Sequence, residues 1–176
     1  MPAWARRGTW TAPTIRGGTA FVGVDMTEPL YLEDMTPGRR FASPGGVEVG
    51  EEEIRAFARE YDPQPFHLDD EAARGTAFGG LAASGWHTAA LTMQLLTAGT
   101  LPIAGGIIGM HMEVSWPRPT RPGSRLRLEC EVLEARPSRS RPEQGVVKMR
   151  CTTLTQTGEP VQVLMATLVV PRRGDG

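Results

Sequence analysis

The chain has 176 residues, a formal net charge of −1, 40% hydrophobic residues and 22% charged residues. These values are typical of a globular protein of about one domain. A nearly neutral chain argues against general nucleic-acid binding, because neutralising phosphates requires a basic surface. No apolar run approaches the roughly 20 residues that a membrane-spanning helix needs, so no membrane partner is predicted.

The two cysteines, Cys130 and Cys151, both lie in apolar alternating runs. This pattern predicts reduced thiols in a core, and hence a cytoplasmic protein rather than a disulfide scaffold. The sequence contains no C-x-x-C motif and no His/Cys cluster, so it indicates no metal site.

Residues 1–28 contain Gly, Thr and Pro without a sustained hydrophobic period. We interpret them as an N-terminal arm that is either flexible or docked on a partner subunit. Residues 29–173 are interpreted as a single domain. Its first expected elements are short strands on either side of the turn at 44–46 (Pro-Gly-Gly).

Residues 51–61 (EEEIRAFAREY) predict an amphipathic helix, because their apolar residues recur at the spacing of one helix face. Asp62 precedes a proline and is expected to end it. The two prolines that follow predict a kinked, non-helical segment. Asp69 is expected to cap a short helix that ends at Gly75.

Residues 84–99 (SGWHTAALTMQLLTAG) predict a second helix, with Ser84 as its N-cap and Gly99 as its stop. Its few polar positions predict a helix surrounded by other structure. The methionines at 93, 110 and 112 are expected to fill the core.

The rest of the chain changes to the period of β-strands. Strands are predicted at residues 106–116, 124–135, 146–156 and 161–171. Two helices followed by long strands predict an α+β fold, with a helix lying on a curved antiparallel sheet.

The stretch YDPQPFHLDD, residues 61–70, places Asp62 and His67 five positions apart beside two prolines. Taken singly, Asp62 is a turn residue and His67 a loop histidine. Taken together, a carboxylate and an imidazole at fixed separation suit acid–base chemistry on water.

At this point the chain resembles the MaoC-like (R)-specific enoyl-thioester hydratases and dehydratases of the hotdog fold. The resemblance rests on D-x-x-P-x-H-x-D, here residues 62–69, and on F-G-x-x-x-A-x-G, here residues 78–85. The later RPTRPGSRLRLECEVLE is similar to the family's strand–turn–strand. The chain departs from the family's common His-Gly at the helix start by having Ser84-Gly85, and Met93 stands where some members place a serine.

The resemblance implies a hotdog fold and reversible hydration of a trans-2-enoyl thioester of coenzyme A or acyl carrier protein. It implies that Asp62 and His67 are the catalytic pair and that the Gly85 amide binds the enolate oxygen. It implies no cofactor beyond the coenzyme A of the substrate, and a homodimer as the assembly. Pairing of sheet edges would also cover exposed strands.

Alternative interpretations remain at this stage. A hotdog thioesterase would hydrolyse the acyl–sulfur bond, and a non-catalytic subunit would only bind the acyl thioester. Asp69 is expected to cap a helix, and His87 to be structural. The arginines are expected on solvated strand edges and loops, or against the phosphates of coenzyme A. These arginines are residues 118, 121, 125, 127, 136, 139 and 141.

Overall fold

The computed structural model describes residues 28–174, which form an α+β fold of helices packed on an antiparallel sheet. The predicted arm lies outside the described residues apart from Glu28. The helices α1 to α4 are Glu51–Tyr61, Pro65–Leu68, Asp70–Arg74 and Gly85–Leu95. Within 28–174, no helix combines the length and the apolar character needed to cross a membrane.

The strands β1 to β6 are Arg40–Ala42, Val47–Glu48, Ile108–Ser115, Arg125–Pro137, Gln144–Leu154 and Pro160–Pro171. They form one sheet in the order β1-β4-β5-β6-β3, with β2 also paired to β4. Every strand pair in it is antiparallel. The predicted α+β class and the four long predicted strands are therefore confirmed.

Helix α1 begins and ends where the sequence predicts. The Glu53 carboxylate accepts a hydrogen bond of 2.9 Å from the Gly50 N–H, which satisfies one free donor of the first turn. Its buried residues, Ile54 and Ala58, belong to the predicted apolar face.

The prediction that the proline segment is non-helical was wrong in part. Pro65 starts the short helix α2, because proline lacks an N–H that the first helical position does not use. Asp69 then caps α3, as predicted, by accepting a hydrogen bond of 2.8 Å from the Ala72 N–H.

The hydrophobic core lies between the inner face of the sheet and the helices. Strand β4 alternates as predicted, with Leu126, Leu128, Cys130 and Val132 buried. Cys130 lies opposite Cys151 on β5, and both are buried free thiols. The predicted burial of both cysteines in the core is confirmed.

Helix α4 packs on the sheet with polar side chains facing inward, which the sequence did not predict. Its inward stripe is largely polar and contains His87, Thr88 and Thr92. Its exposed residues lie at positions 86, 90 and 93, which share one face of the helix.

The prediction that three methionines fill the core was wrong. Met93 on α4 is 39% exposed, and Met110 and Met112 on β3 are 63% and 50% exposed. Strand β3 is the last strand of the sheet and pairs with β6 alone among the described strands. A sequence pattern that marks a strand does not reveal that it lies at an edge, where both faces can be exposed.

Candidate active site

Asp62 lies where helix α1 ends, and two hydrogen bonds fix its carboxylate. The Ser84 hydroxyl donates to Oδ2 at 2.6 Å, and the Gln64 side-chain amide donates to Oδ1 at 2.7 Å. The Asp62 side chain is 18% exposed, so it lies near the surface without being fully hydrated.

His67 lies on α2 and is buried. Its Nδ1 lies 2.7 Å from the carbonyl oxygen of Ala82. A carbonyl can only accept, so Nδ1 must carry a hydrogen, and in the neutral ring Nε2 then holds the lone pair.

The predicted pair comes together in the structure. His67 Nε2 lies 3.5 Å from Asp62 Oδ2, longer than the hydrogen bonds that hold each group. Two proton-accepting atoms so placed can both contact a single water molecule.

Burial raises the pKa of Asp62, but hydrogen bonds from Ser84 and Gln64 and the neighbouring His67 lower it by more. The pKa of Asp62 therefore lies below its usual value, and the group is a carboxylate at neutral pH. A carboxylate can accept a proton from water, which suits the role of a base.

The loop before α4 holds the carbonyl that orients His67. Arg121 donates to the carbonyl oxygens of Gly80 at 2.7 Å and Leu81 at 3.0 Å, and also to that of Phe78. The Ala83 N–H donates to the Thr120 carbonyl at 2.9 Å. The Arg121 guanidinium and the Thr120 carbonyl thus fix the segment that contains Ala82.

Gly85 is the first residue of α4, with Ser84 as N-cap, as predicted. The Ser84 hydroxyl accepts from the Trp86 N–H at 3.2 Å, whereas the Gly85 N–H has no hydrogen-bond partner within 28–174. A Cβ at Gly85 would lie 2.8 Å from Trp116 Cε2, so this contact requires glycine. The helix start therefore offers a free N–H donor in the residue after Ser84, whose hydroxyl binds Asp62.

Sequence reasoning missed the contacts of two residues. Ser84 was predicted only as a helix cap, yet it also bonds to Asp62 across 22 positions of the chain. Arg121 was grouped with solvated arginines, yet it is half-buried against backbone carbonyls. The serine could have been suspected from its place in the motif; no pattern in the sequence indicates the arginine's contacts.

His87 lies outside the pair. Its ring stacks on Phe57 with centroids 4.8 Å apart, and its buried Nδ1 has no hydrogen-bond partner within 28–174. Burial lowers the pKa of His87, and the charge of Glu53 opposes this effect. The ring of His87 packs on Phe57, and its structural role stays a prediction.

A surface cavity of about 550 Å³ lies beside the Arg121 loop. It is lined by Glu51, Asp70, Gly79, Gly80, Leu81, Arg121 and Pro122. Asp62 and His67 do not line it. The surface beside Asp62 instead carries two exposed aromatic side chains, Tyr61 and Trp86.

Comparison with known proteins gives a consistent family. The family described as MaoC like domain matches residues 33–154. The uncharacterised protein YdeM of Bacillus subtilis (strain 168) is 31% identical over 128 residues, covering 72% of this chain and 89% of that protein.

Two solved structures are similar over most of their length. The MaoC-like dehydratase of Rhodospirillum rubrum is 56% identical, with a TM-score of 0.80, over 82% of this chain and 99% of that one. The (R)-hydratase PhaJ1 of Pseudomonas aeruginosa is 25% identical, with a TM-score of 0.64, over 82% and 88%. The expected hotdog fold, a curved antiparallel sheet with a central helix, is thereby confirmed. The chain belongs to the family of MaoC-like domains.

Proposed function

We propose that this protein is a hydro-lyase that reversibly adds water to a trans-2-enoyl thioester and forms an (R)-3-hydroxyacyl thioester. The observation that carries the proposal is the distance of 3.5 Å between Asp62 Oδ2 and His67 Nε2, with each group fixed by separate hydrogen bonds. The similarity to an (R)-hydratase supports the stereochemistry.

The proton balance of this reaction suits the pair. As the water oxygen bonds to C3, Asp62 or His67 takes one proton, and the electrons of the double bond move to the thioester oxygen. The resulting enolate is protonated at C2 from the same pair, which returns to its starting protonation state. Water addition transfers no electrons to an acceptor, so the proposed reaction uses no redox cofactor.

The Gly85 N–H is the proposed donor to the enolate oxygen. It lies at a helix N-terminus, where the dipole favours negative charge, and it has no competing acceptor within 28–174. A donor fixed before the reaction stabilises charge without reorganising during it.

The substrate is proposed to be the thioester of coenzyme A or acyl carrier protein, in the cytoplasm. The two buried thiols, which face each other without a disulfide, suit a reducing compartment. The acyl chain is proposed to lie along the exposed apolar side chains that begin at Tyr61 and Trp86.

The proposed assembly is a homodimer. Large apolar side chains are exposed on α4 and β3, and we call them the outer apolar face: Trp86, Met93, Ile108, Met110 and Met112. The ring of Trp86 packs edge-to-face on Trp116 at 5.6 Å, so the two elements lie side by side at this end. A second copy pairing at β3 would continue the sheet and cover this face.

The test begins with the wild-type protein and a short trans-2-enoyl-CoA. Loss of ultraviolet absorbance from the conjugated double bond reports hydration, and release of free thiol reports hydrolysis. Chiral chromatography of the released hydroxy acid gives the configuration. Thiol release without hydration would favour a thioesterase instead, and binding without either reaction would favour a non-catalytic subunit.

The variant Asp62→Asn is expected to lower turnover at least about 100-fold, because a positioned acid–base group contributes that much. Asp69→Asn makes the same chemical change in the same segment. It is expected to retain activity, because asparagine caps a helix about as well as aspartate. Near-native activity of a folded Asp62→Asn protein would remove Asp62 from the mechanism.

A further inference from the structure

A buried glutamine on β6 connects helix α4 to an aromatic side chain beside the site. Gln162 is 1% exposed. Its side-chain amide donates to Thr92 Oγ1 at 2.9 Å, and its Oε1 accepts from the Trp116 indole N–H at 2.9 Å. Each polar atom of this side chain therefore has a partner, which is the condition for burying an amide at low cost.

The orientation of the Gln162 amide follows from its neighbours. The single hydroxyl proton of Thr92 goes to the Thr88 carbonyl at 2.9 Å. The hydroxyl of Thr153, 2.7 Å away, must therefore donate to Thr92, and Gln162 must present its NH₂ to the remaining lone pair. This leaves the Gln162 carbonyl for Trp116, whose indole can only donate.

Trp116 in turn lies against the start of α4. It follows the last residue of β3, and the three indole carbons nearest to a Cβ built on Gly85 lie 2.8, 3.0 and 3.1 Å from it. Trp116 is 41% exposed, and within residues 28–174 its N–H donates to Gln162 alone. The indole therefore occupies the space beside the Gly85 backbone, in a position set by Gln162.

We propose that Gln162 and Trp116 are positioning residues that fix the Gly85 N–H for the enolate oxygen. This inference rests on the proposed function. The ends of helices fray, and a donor that moves must be reoriented during the reaction. The Trp116 indole blocks this movement on one side of the Gly85 backbone. Gln162, which holds the indole, is itself bound to Thr92 of the same helix.

The experiment uses the full-length protein and three variants: Gln162→Met, Trp116→Phe and the double variant. Methionine fills the space of glutamine with only a weakly accepting thioether, and phenylalanine keeps an aromatic ring without the N–H. Gln156→Met is the matched control, because Gln156 is exposed and its side chain accepts from the Arg125 backbone N–H. Indole N–H resonances, kcat and KM are measured for all.

Each single variant is expected to lower kcat by about fivefold to tenfold, the rate equivalent of one hydrogen bond, with KM changed less than about twofold. The kcat of the double variant should lie within about twofold of the kcat of the less active single variant, because both single substitutions break the same hydrogen bond. The Trp116 indole signal, identified by its loss in Trp116→Phe, should shift and exchange faster in Gln162→Met only.

Three kinetic results would overturn the proposal. They are a double variant whose loss of kcat equals the product of the two single losses, an effect on KM without one on kcat, and wild-type kcat in both single variants. An unchanged Trp116 signal in Gln162→Met would also overturn it. If Gln162→Met does not fold, the kcat of Trp116→Phe decides between the outcomes, because Trp116 is partly exposed and its replacement should be tolerated. If the wild type hydrates no enoyl thioester, the proposed function has failed and the catalytic role falls with it. The indole signal would still report whether Gln162 holds the ring.

Discussion

The hydroxyl of Ser84 performs two tasks at once. It donates to the Asp62 carboxylate at 2.6 Å and accepts from the Trp86 N–H at 3.2 Å. The same atom therefore stabilises the charged form of Asp62 and the first turn of α4. These tasks can be separated by mutation, because glycine is nearly as good an N-cap as serine and alanine is not.

We expect Ser84→Ala and Ser84→Gly to raise the pKa of Asp62 by removing the hydrogen bond to its charged form. The acid limb of the pH–rate profile should then move to higher pH in both variants. Ser84→Ala should in addition have about 1 kcal/mol less unfolding free energy than Ser84→Gly, measured by urea denaturation. If the acid limb of the pH–rate profile does not move in either variant, then the ionisation of Asp62 does not determine it.

The lowered pKa of Asp62 in the wild type also affects the stability of the fold. Because the pKa of Asp62 is lower in the folded protein, the ionised group stabilises the fold at neutral pH. This contribution is complete above the unfolded-state pKa and is lost as the pH falls through the folded-state pKa. The loss on acidification should be smaller in Ser84→Gly than in the wild type.

At the scale of elements, the loop before α4 depends on a residue far away in sequence. Arg121, in the connection between β3 and β4, donates to three carbonyls of residues 78–81. The next residue, Ala82, accepts from His67. The loop has glycines at 79 and 80, both with positive φ, so little in its own sequence restrains it.

We expect Arg121→Met to lower the free energy of unfolding by about 2 kcal/mol, since hydrogen bonds to charged groups contribute about that much. It should also lower kcat, because the Ala82 carbonyl would no longer hold His67. Thermal denaturation and steady-state kinetics measure the two effects. Arg121→Lys should be intermediate, because an ammonium cannot reach all three carbonyls at once.

The control for this prediction is Arg118→Met. Arg118 is exposed and forms one surface ion pair with Glu159 at 3.4 Å, so its loss should cost less than about 1 kcal/mol. Equal effects of the two methionine variants would contradict the role assigned to Arg121.

The elements themselves could be predicted from the sequence, because their signals are local. Helix α1, the cap of α3 and the alternation of β4 follow from spacing within a few residues. The Arg121 contacts could not be predicted, because they join residues about 40 positions apart and no motif includes them. The pairing of Asp62 and His67 was predicted from their spacing together with the family resemblance of their motif.

At the scale of the whole molecule, α4 and β3 leave the outer apolar face uncovered. We expect Met93→Glu and Met110→Glu to shift a dimer to monomer in analytical ultracentrifugation, because each would place a charge at the proposed contact. Gln156→Glu adds the same charge in the exposed β5–β6 turn and should leave the assembly unchanged. A wild type that stays monomeric at all concentrations would refute the proposed homodimer.

The exposure of these methionines marks the limit of what one chain's sequence can predict. Hydrophobic periodicity reports that a side chain avoids water, but it does not say whether its neighbour belongs to the same chain. The predicted helix was right at its start, where Ser84 caps α4, but the α-helix ends at Leu95 and a π-helical turn, Leu96–Thr100, contains Gly99. The assignment of Met93 to the core was wrong.

The facing thiols at the centre of the sheet provide a built-in reporter. Hydrogen bonding to Cys151 and burial raise the pKa of Cys130 above its usual range, so the native thiol is almost never a thiolate. Alkylating reagents react with thiolates, and here they must wait until β4 and β5 separate. The alkylation rate of the native protein, followed by mass spectrometry, therefore measures how often the middle of the sheet opens.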